Sequence, residues 1–317
     1  MRSAFVLGAG YGTRLRPLTD NLPKPLVPVF NKALIEYVLD GLIARGFERF
    51  AINTHYLAER WKEKFGVFDG KSEYRGCEVF LFYERELLDT GGGLKNIESF
   101  IQNDGLLVWN GDVLCDASLE GLVGRHEEAG FAVTLGLRRG GGPLSVSFDS
   151  AEGVVRDIRG CLGRRGDVEC LFAGIYAVRP EVLRWIPPGR PYSIVTALVE
   201  MLRAGFQIGG VILEDGLWSD LGTVESYLEA HHFIKEKGYR LGYALREPLR
   251  FLPKGMGWRE GWGGFVSIGD GSIVEEEVFL EDTVVWPGSC IRSGSRLRRC
   301  VVVGGKEVRG VHEREVL

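Results

Sequence analysis

The run FVLGAGYGTRLRPLT, residues 5–19, is followed by LPKPL at residues 22–26. Its apolar start predicts a buried strand, which leads into a loop with glycine at every second position. Glycine lets the backbone approach an anion closely and turn its N–H groups toward it, and Arg14 and Lys24 add fixed positive charge. The stretch therefore predicts a loop that binds phosphate groups.

A tight turn and a dinucleotide fingerprint are the other interpretations of these glycines. The spacing is G-x-G-x-G followed by Thr13 and Arg14, so the third glycine of the G-x-G-x-x-G fingerprint is missing. The dinucleotide interpretation is therefore disfavoured. Two prolines flank Lys24 and hold its stem in one place, which favours a functional lysine over a solvated one.

Composition limits the class of protein. The 317 residues are 45% apolar and 26% charged, which predicts an ordinary soluble protein of two domains. A net charge of -4 and a pI near 5.9 disfavour nucleic acid as a partner. No apolar run approaches the ~20 residues of a membrane span, and residues 1–7 are too short for a signal peptide. The cytoplasm is the expected compartment. Six cysteines without a CxxC pair suggest neither a zinc site nor a disulfide framework.

Strand and helix patterns alternate along most of the chain. Such alternation predicts a Rossmann-like α/β fold, with a mixed, mainly parallel sheet flanked by helices and ligands beyond the C-terminal ends of the strands. Some antiparallel pairing is expected between residues 132 and 178. Thr223 is a natural N-cap for the last helix. The predicted elements after the first strand are helix 34–43, strand 49–53, helix 57–65, strand 79–83, helix 94–101, strand 106–109, helix 119–129, strands 132–137, 154–158 and 171–178, helix 194–204, strand 207–213 and helix 224–237.

The pattern changes past about residue 240, so we expect a nucleotidyltransferase-type domain at residues 1–240 and an extension at 241–317. Six is the period of a triangular β-solenoid whose recurring residue points inward. The tail therefore predicts a short left-handed β-helix of hexapeptide type with about two coils. So small a stub needs cover at its ends, from the first domain or from another subunit of a homo-oligomer. An apolar residue recurs every sixth position, at Ile273, Phe279, Val285, Ile291, Leu297 and Val303.

Four motifs, GAGYGTRLRPLT, LPKPL, WNGDV and WSDLGT, resemble those of the sugar-1-phosphate nucleotidylyltransferases, also called NDP-sugar pyrophosphorylases. The resemblance covers about residues 1–235, and the tail is similar to one found in many members. It implies transfer of a nucleotidyl group from a nucleoside triphosphate to a sugar 1-phosphate, with release of pyrophosphate.

The residue types suit that reaction. The nucleophile is a phosphate oxygen that is already anionic at neutral pH, so alignment and charge neutralisation replace a general base. Asp112 and Asp220 match the family's metal-binding aspartates and would hold one Mg²⁺ between the α-phosphate and the sugar phosphate. Arg14 would clamp the β- and γ-phosphates, and Lys24 would bring charge to the α-phosphate or the sugar phosphate.

The resemblance also implies contacts to the nucleoside and the sugar. Glu84 matches an acceptor for an N–H of the base. Gly174 matches a strand beneath the sugar, and Asn110 is expected to contact the sugar phosphate with it. The nucleotide-binding residues implied are Leu7, Gly8, Ala9, Gly10, Gly12, Thr13, Glu84, Gly91 and Gly92, with Tyr11 completing the phosphate cradle through its backbone.

One departure leaves the substrate open. The usual Glu-Lys-Pro triplet before the sugar strand is absent, and its lysine has four possible substitutes. This departure and the run DTGGG at residues 89–93 look like the muramic-acid-1-phosphate uridylyltransferase branch, whereas the tail and GYGTRLRPLT look like mannose-1-phosphate guanylyltransferases. UTP and GTP are both retained. The possible substitutes are Arg156, Arg159, Arg164 and Arg165.

Two competing hypotheses belong to other classes. The chain could bind an NDP-sugar without catalysis and regulate a partner, but all four charged residues that the reaction needs are intact. The tail could be an acyltransferase, but two coils are too few to build such a site.

Overall fold

The computed structural model describes residues 1–30, 32–101, 105–238 and 251–317. The chain divides into two compact units. The first contains residues 1–11 and 42–218, and the second contains residues 12–41 and 219–317.

Helices and strands alternate through the first unit, and short strands fill the end of the second. The helices are α1 (Leu34–Ile43), α2 (Ala58–Phe65), α3 (Asp89–Asn96), α4 (Glu120–Ala129), α5 (Ile194–Arg203) and α6 (Val224–Lys237). The strands are β1 (Ser3–Leu7), β2 (Pro28–Val29), β3 (Lys32–Ala33), β4 (Arg49–Thr54), β5 (Gly70–Tyr74), β6 (Cys77–Tyr83), β7 (Leu106–Asn110), β8 (Val113–Cys115), β9 (Val133–Arg138), β10 (Val146–Asp149), β11 (Val154–Ile158), β12 (Val168–Val178), β13 (Gly209–Ile212), β14 (Trp218–Asp220), β15 (Gly263–Ile268), β16 (Ile273–Val274), β17 (Phe279–Val285), β18 (Cys290–Ile291), β19 (Arg296–Arg298), β20 (Val301–Val302), β21 (Glu307–Val308) and β22 (Val311–Glu313).

The main sheet of the first unit has the strand order β10-β11-β13-β9-β12-β7-β1-β4-β6-β5. Pairing is parallel along β7-β1-β4-β6 and between β9 and β13. The other pairings in this sheet are antiparallel, so the sheet is mixed rather than mainly parallel as predicted. The reason is local, because no helix lies between β9 and β12 to carry the chain back for a parallel crossover.

The core of this unit packs one face of the sheet against α3 and α5. Phe5, Val108, Leu135 and Tyr176 are completely buried in it, together with Leu198 from α5. These residues belong to the continuous apolar runs that the sequence presents as strands and helices, which is why most predicted elements are confirmed within a few residues.

Two helices show the range of agreement. Helix α6 has the predicted bounds, and Thr223 caps it in a reciprocal capping box with Ser226. Helix α3 begins at Asp89, so Gly91–Gly93 lie inside the helix instead of before it, and the prediction of a helix starting at residue 94 was wrong. Packing against neighbouring backbone overrides the low helix propensity of glycine there, as the site geometry below shows.

Short parallel strands, β15 to β22, form the end of the second unit, and we call them the strand stack. Partners along the stack lie 17 residues apart, as with Ile273 and Cys290 or Cys290 and Glu307. The stack is three strands deep at β16-β18-β21, one more layer than the two coils predicted. The buried interior positions are Ile268, Val274, Leu280, Val285, Ile291, Leu297, Val302 and Val308.

The strict six-residue period was therefore partly wrong. Val285, Ile291 and Leu297 are buried as predicted, but Ile273 and Phe279 are 60% and 38% exposed, and Val303 is outside the core. A coil of 17 residues spaces its inward positions by six, six and five, because one corner is a residue shorter. A period of six consequently leaves phase after one coil.

Chain chemistry outside the fold is unremarkable in two respects. No helix of the described ranges combines the length and the apolar character that crossing a bilayer requires. The six cysteines are free thiols, and burial raises the pKa of Cys115 to about 11.

Two histidines are expected to make the fold sensitive to acid. Burial lowers the pKa of His126 and of His231 to about 4, from an ordinary value of 6.5. Between these pH values each ring binds a proton in the unfolded chain but not in the folded one. The free energy of unfolding should therefore fall by about 1.4 kcal/mol per pH unit for each histidine as the pH drops through this window, and level off on either side. Denaturant unfolding measured across the window checks this, and His126→Asn should remove about half of the slope. An unchanged slope in that variant would contradict the assignment.

Candidate active site

Four parallel neighbours, β7, β1, β4 and β6, end at the same edge of the main sheet. Leu7 at the end of β1 pairs with Asn110 on one side and with Asn53 on the other. Gly8 and Glu84 follow two of these strand ends directly, and Asp112 stands just beyond a third. The predicted nucleotide and sugar residues of the first unit are thus gathered at one sheet edge.

Asn53 connects two of them and was not predicted from the sequence. Its Oδ1 accepts a hydrogen bond from the Gly8 N–H at 2.8 Å, and its Nδ2 donates to Glu84 Oε1 at 2.7 Å. The only sequence signal for this role is that Asn53 ends the strand run RFAIN beside β1.

Glu84 is buried and both of its carboxylate oxygens accept hydrogen bonds within the protein. Besides Asn53, the Leu88 N–H donates to Oε2 at 3.0 Å. Burial raises the pKa of Glu84, against the hydrogen bonds from Asn53 and Leu88, which lower it. The carboxylate thus fixes the end of β4 to the turn before α3. Its contact with a base stays a prediction.

The glycines of α3 allow close packing that no side chain would permit. A Cβ on Gly91 would lie 2.7 Å from the Tyr192 carbonyl oxygen, and one on Gly93 would lie 2.8 Å from Asn53 Nδ2. The N–H groups of Gly91 and Gly92 both donate to the Tyr192 carbonyl oxygen at 2.8 Å. This turn of α3 is therefore pinned to the segment before α5.

Gly91→Ala is expected to destabilise the protein by about 1–3 kcal/mol, because the methyl group meets rigid backbone. Gly124→Ala is the matched control, since Gly124 lies in α4 and an added Cβ meets nothing within 4 Å. The control should gain about 0.5–1 kcal/mol from helix propensity. Chemical denaturation of both variants tests this. Equal effects of the two changes would show that propensity, not packing, decides.

The glycine loop after β1 has one packed and one open glycine. A Cβ on Gly8 would lie 2.7 Å from the Asn53 carbonyl oxygen, whereas one on Gly10 would meet nothing within 4 Å. In the described part of the chain, the N–H groups of Gly10 and Tyr11 donate to no other residue. The Tyr11 hydroxyl lies 3.1 Å from His55 Nε2. The loop thus presents backbone donors beside an ordered aromatic ring.

Asn110 and Gly174, the two predicted sugar-phosphate residues, are in contact. Gly174 has φ 72°, and a Cβ there would lie 2.7 Å from Asn110 Nδ2. Both the left-handed backbone and the close approach require glycine. The neighbouring carbonyl oxygen of Ala173 accepts the indole N–H of Trp218 at 2.9 Å.

Two of the four arginines considered for the missing lysine are bound within the protein. Arg156 pairs with Asp149 at 2.8 Å, and Arg164 donates to the Leu202 carbonyl oxygen at 3.3 Å. The structure draws attention instead to Arg138, which the sequence did not single out. Its guanidinium carbon lies 5.8 Å from the centre of the Trp218 ring that is bonded to Ala173.

The second unit holds the rest of the glycine loop. Gly12 has φ 65°, and its carbonyl oxygen accepts from the Leu15 N–H at 3.0 Å and the Thr19 hydroxyl at 2.8 Å. A Cβ on Gly12 would lie 3.2 Å from the Cβ of Lys24. Lys24 is 7% exposed and starts a single helical turn, Lys24–Leu26. The glycine loop and the LPKPL segment therefore pack directly on each other.

Arg14 lies against the segment that contains Asp220. A Cβ on Gly222 would lie 3.1 Å from Arg14 Nη1. The Ser226 hydroxyl donates to the Asp220 carbonyl oxygen at 3.2 Å. Among the described residues, neither the Arg14 guanidinium nor the Asp220 carboxylate has a partner, and both residues are exposed.

The donor chemistry at these positions fits Mg²⁺. In the ranges that the structure describes, no group of three or more His, Cys, Asp or Glu residues is arranged to hold a metal ion by itself. Mg²⁺ commonly takes one or two carboxylates and completes its shell with water and phosphate oxygens. Asp112 at the sheet edge and the unpartnered Asp220 are donors of that kind.

Comparison with known proteins gives matches of one kind. The profile described as "Nucleotidyl transferase" matches residues 3–143. A mannose-1-phosphate guanylyltransferase of Mycobacterium tuberculosis is 31% identical over 311 residues, which cover 96% of this chain and 80% of that protein. An N-acetylmuramate alpha-1-phosphate uridylyltransferase of Caulobacter vibrioides is 31% identical over 244 residues, 74% of this chain and 97% of that one. The crystal structure of a UDP-glucose pyrophosphorylase complexed with UDP-glucose shares the fold, with a TM-score of 0.59 at 21% identity over 75% of this chain and 99% of that chain.

Proposed function

Because this chain belongs to the nucleotidyl transferase family, we propose that it transfers a nucleotidyl group from a nucleoside triphosphate to a sugar 1-phosphate and releases pyrophosphate. The observation that carries the proposal is the set of unused donors in the glycine loop. Backbone N–H groups at Gly10 and Tyr11 and the guanidinium of Arg14 have no partner among the described residues. Such donors suit a triphosphate.

Lys24 and Arg14 have different tasks in this proposal. Arg14 offers a planar fork that matches two phosphate oxygens, so it would hold the leaving pyrophosphate. Lys24 is a point charge whose stem is buried against Gly12, so it would stay aimed at the α-phosphate or the sugar phosphate. No proton needs to be removed, because the attacking phosphate oxygen is already anionic.

Asp112 and Asp220 are the proposed ligands of Mg²⁺. When bound, the ion would supply Lewis-acid charge neutralisation at the phosphate oxygens. The two aspartates would hold it through carboxylate oxygens. The support for the pair is the match of WNGDV and WSDLGT to the family together with the donor chemistry described above.

The base and the sugar are proposed only as classes. UTP and GTP are both retained, since relatives of each kind match this chain. The remaining nucleotide contacts are proposed for Leu7, Gly8, Ala9, Gly12, Thr13, Glu84, Gly91 and Gly92. Asn110 and Gly174 would lie beneath the sugar, and Arg138 is a candidate for the charge that the missing lysine provides in relatives.

A panel of pyrophosphate-release assays tests the function. UTP, GTP and the other nucleoside triphosphates are each combined with several sugar 1-phosphates and Mg²⁺. We expect turnover with one pair above all others. Folded protein that turns over no pair would overturn the proposal, and nucleotide binding without turnover would identify a regulator.

Further proposals concern the chain outside the site. The parallel pairing of the strand stack supports a left-handed β-helix, which a crystal structure would test. A domain boundary near residue 240 lies outside the described residues. A homo-oligomer formed through the extension and a cytoplasmic location are also proposed, from the sequence alone.

A further inference from the structure

The segment that carries Lys24 is held from behind by α6. The turn at Lys24 leads directly into the hairpin of β2 and β3. The Tyr227 hydroxyl donates to the Pro28 carbonyl oxygen at 2.5 Å, and the Phe30 N–H donates to His231 Nε2 at 3.0 Å. Tyr227 and His231 are both completely buried. Two backbone positions just after Lys24 are thus fixed by side chains of one helix.

His231 accepts this hydrogen bond because its ring is neutral. Its Nδ1 lies 2.8 Å from the Tyr227 carbonyl oxygen, so Nδ1 carries the proton and donates it. Nε2 is then left with a lone pair for Phe30. Burial lowers the pKa of His231 to about 4, which keeps the ring in this form at neutral pH.

Phe30 needs such support. Its φ of 55° is in the left-handed region, which a bulky residue rarely adopts. The Phe30 ring packs at 4.5 Å from the His231 ring and 4.6 Å from the Phe251 ring. Backbone of this kind persists only where the surroundings fix it. Losing the contacts of His231 would therefore release the hairpin.

The strand stack holds Tyr227 in turn. Trp286, just after β17, donates its indole N–H to the Tyr227 hydroxyl at 3.1 Å. The carbonyl oxygen of Trp286 accepts from the hydroxyls of Ser272 at 3.0 Å and Ser289 at 2.9 Å. A continuous hydrogen-bonded path thus runs from the strand stack through Tyr227 to Pro28.

We propose that Tyr227, His231 and Trp286 are positioning residues for Lys24, and that the strand stack acts through them on the reaction. This inference rests on the proposed function, since it takes Lys24 as the group that meets a phosphate. A lysine side chain is a flexible stem, so its aim depends on how firmly its backbone is held. Misplacing a catalytic group by about 1 Å can cost roughly a hundredfold in rate. The extension would therefore be part of the catalytic apparatus although none of its residues touches substrate.

Trp286→Phe removes the indole donor and keeps an aromatic ring. We expect kcat to fall roughly tenfold and the KM for the nucleotide to change by less than about twofold. Hydrogen exchange of the amides in residues 24–30 should become faster. Trp262→Phe is the matched control, because Trp262 is equally buried at 7% exposure and its indole donates to the Val278 carbonyl oxygen at 3.0 Å, away from Tyr227. A control that loses as much kcat as Trp286→Phe would overturn the proposal.

A double-mutant cycle with Lys24 separates positioning from general damage. Tyr227→Phe should lower kcat roughly tenfold in the wild type but less than about twofold in a Lys24→Gln background, where nothing is left to position. Additive losses would overturn the proposal. His231→Gln keeps an acceptor for Phe30 and should retain amide protection that His231→Phe loses, and equal loss in both would count against the assigned role.

Failure of the proposed function would be visible separately. The wild type would then show no turnover with any substrate pair. The exchange measurement would still decide the structural half of the inference, because unchanged exchange of residues 24–30 in Trp286→Phe overturns it whatever the reaction is.

Discussion

Asp220→Asn is expected to lower kcat by about a thousandfold and to leave the free energy of unfolding nearly unchanged. A metal ligand contributes several kcal/mol to the transition state, and each 1.36 kcal/mol is about tenfold in rate. Stability should not change because the exposed Asp220 carboxylate has no partner among the described residues. Measurements of kcat, of the Mg²⁺ concentration for half-maximal rate and of the unfolding midpoint check the three parts.

Asp215→Asn is the control for this change. Asp215 lies on the same loop, but its carboxylate accepts from the Ser118 N–H at 3.2 Å, and asparagine keeps an acceptor oxygen there. We expect kcat within about twofold of the wild type. Asp112→Asn, at the other proposed ligand, should match the rate loss of Asp220→Asn. Wild-type kcat in either ligand variant would remove that residue from the metal site.

Arg14→Gln is expected to lower kcat/KM for the nucleotide by about a hundredfold. Hydrogen bonds from a charged donor contribute about 1.5–3 kcal/mol, and the fork of Arg14 can make two of them to phosphate oxygens. Arg14→Lys should recover only part of the loss, because an ammonium restores charge without the fork. Steady-state kinetics at varied nucleotide concentration measures both.

Arg16→Gln provides the comparison. Arg16 lies in the same loop and is 54% exposed, but its guanidinium pairs with Asp20 at 3.4 Å. An exposed pair of this kind contributes little, so we expect less than about a twofold change in kcat/KM. A loss as large as that of Arg14→Gln would mean that the loop needs positive charge in general, not Arg14.

Features encoded by neighbouring residues could be predicted from the sequence. The strand that ends at Asn110 is a continuous apolar run, and α6 announces its start through Thr223 and Ser226. Such signals involve residues within a few positions of each other. They were enough to place Gly8, Asp112 and Gly174 at strand ends or within strands and to indicate the family.

Features that depend on distant partners could not be predicted. Gly91–Gly93 look like a helix breaker, and only the packing of Tyr192 against them explains why they are helical. Asn53 carries no mark in the sequence because its role is to join Gly8 with Glu84. The antiparallel insertion of β12 between β7 and β9 likewise follows from pairing over long separations.

The tail shows a third kind of error, in which the type of pattern was correct and its length was not. Buried residues at positions 285, 291 and 297 fit a period of six, and the shorter corner breaks the count before and after them. A regular repeat inferred from one coil cannot show where the chain saves a residue. The register of backbone pairs shows it at once.

That register also sets a rule for how this part of the gene can change in length. Each strand pairs with the strand 17 residues away, so duplicating or deleting 17 codons would keep every apolar residue inside and every pair in register. Inserting three perfect hexapeptides would instead turn the following residues outward, as Ile273 is now. The offset shortens to 15 between Arg296 and Val311, where the last strand is added. We therefore expect lengthened or shortened forms of this tail to differ by whole steps of 17, taken before that final short step.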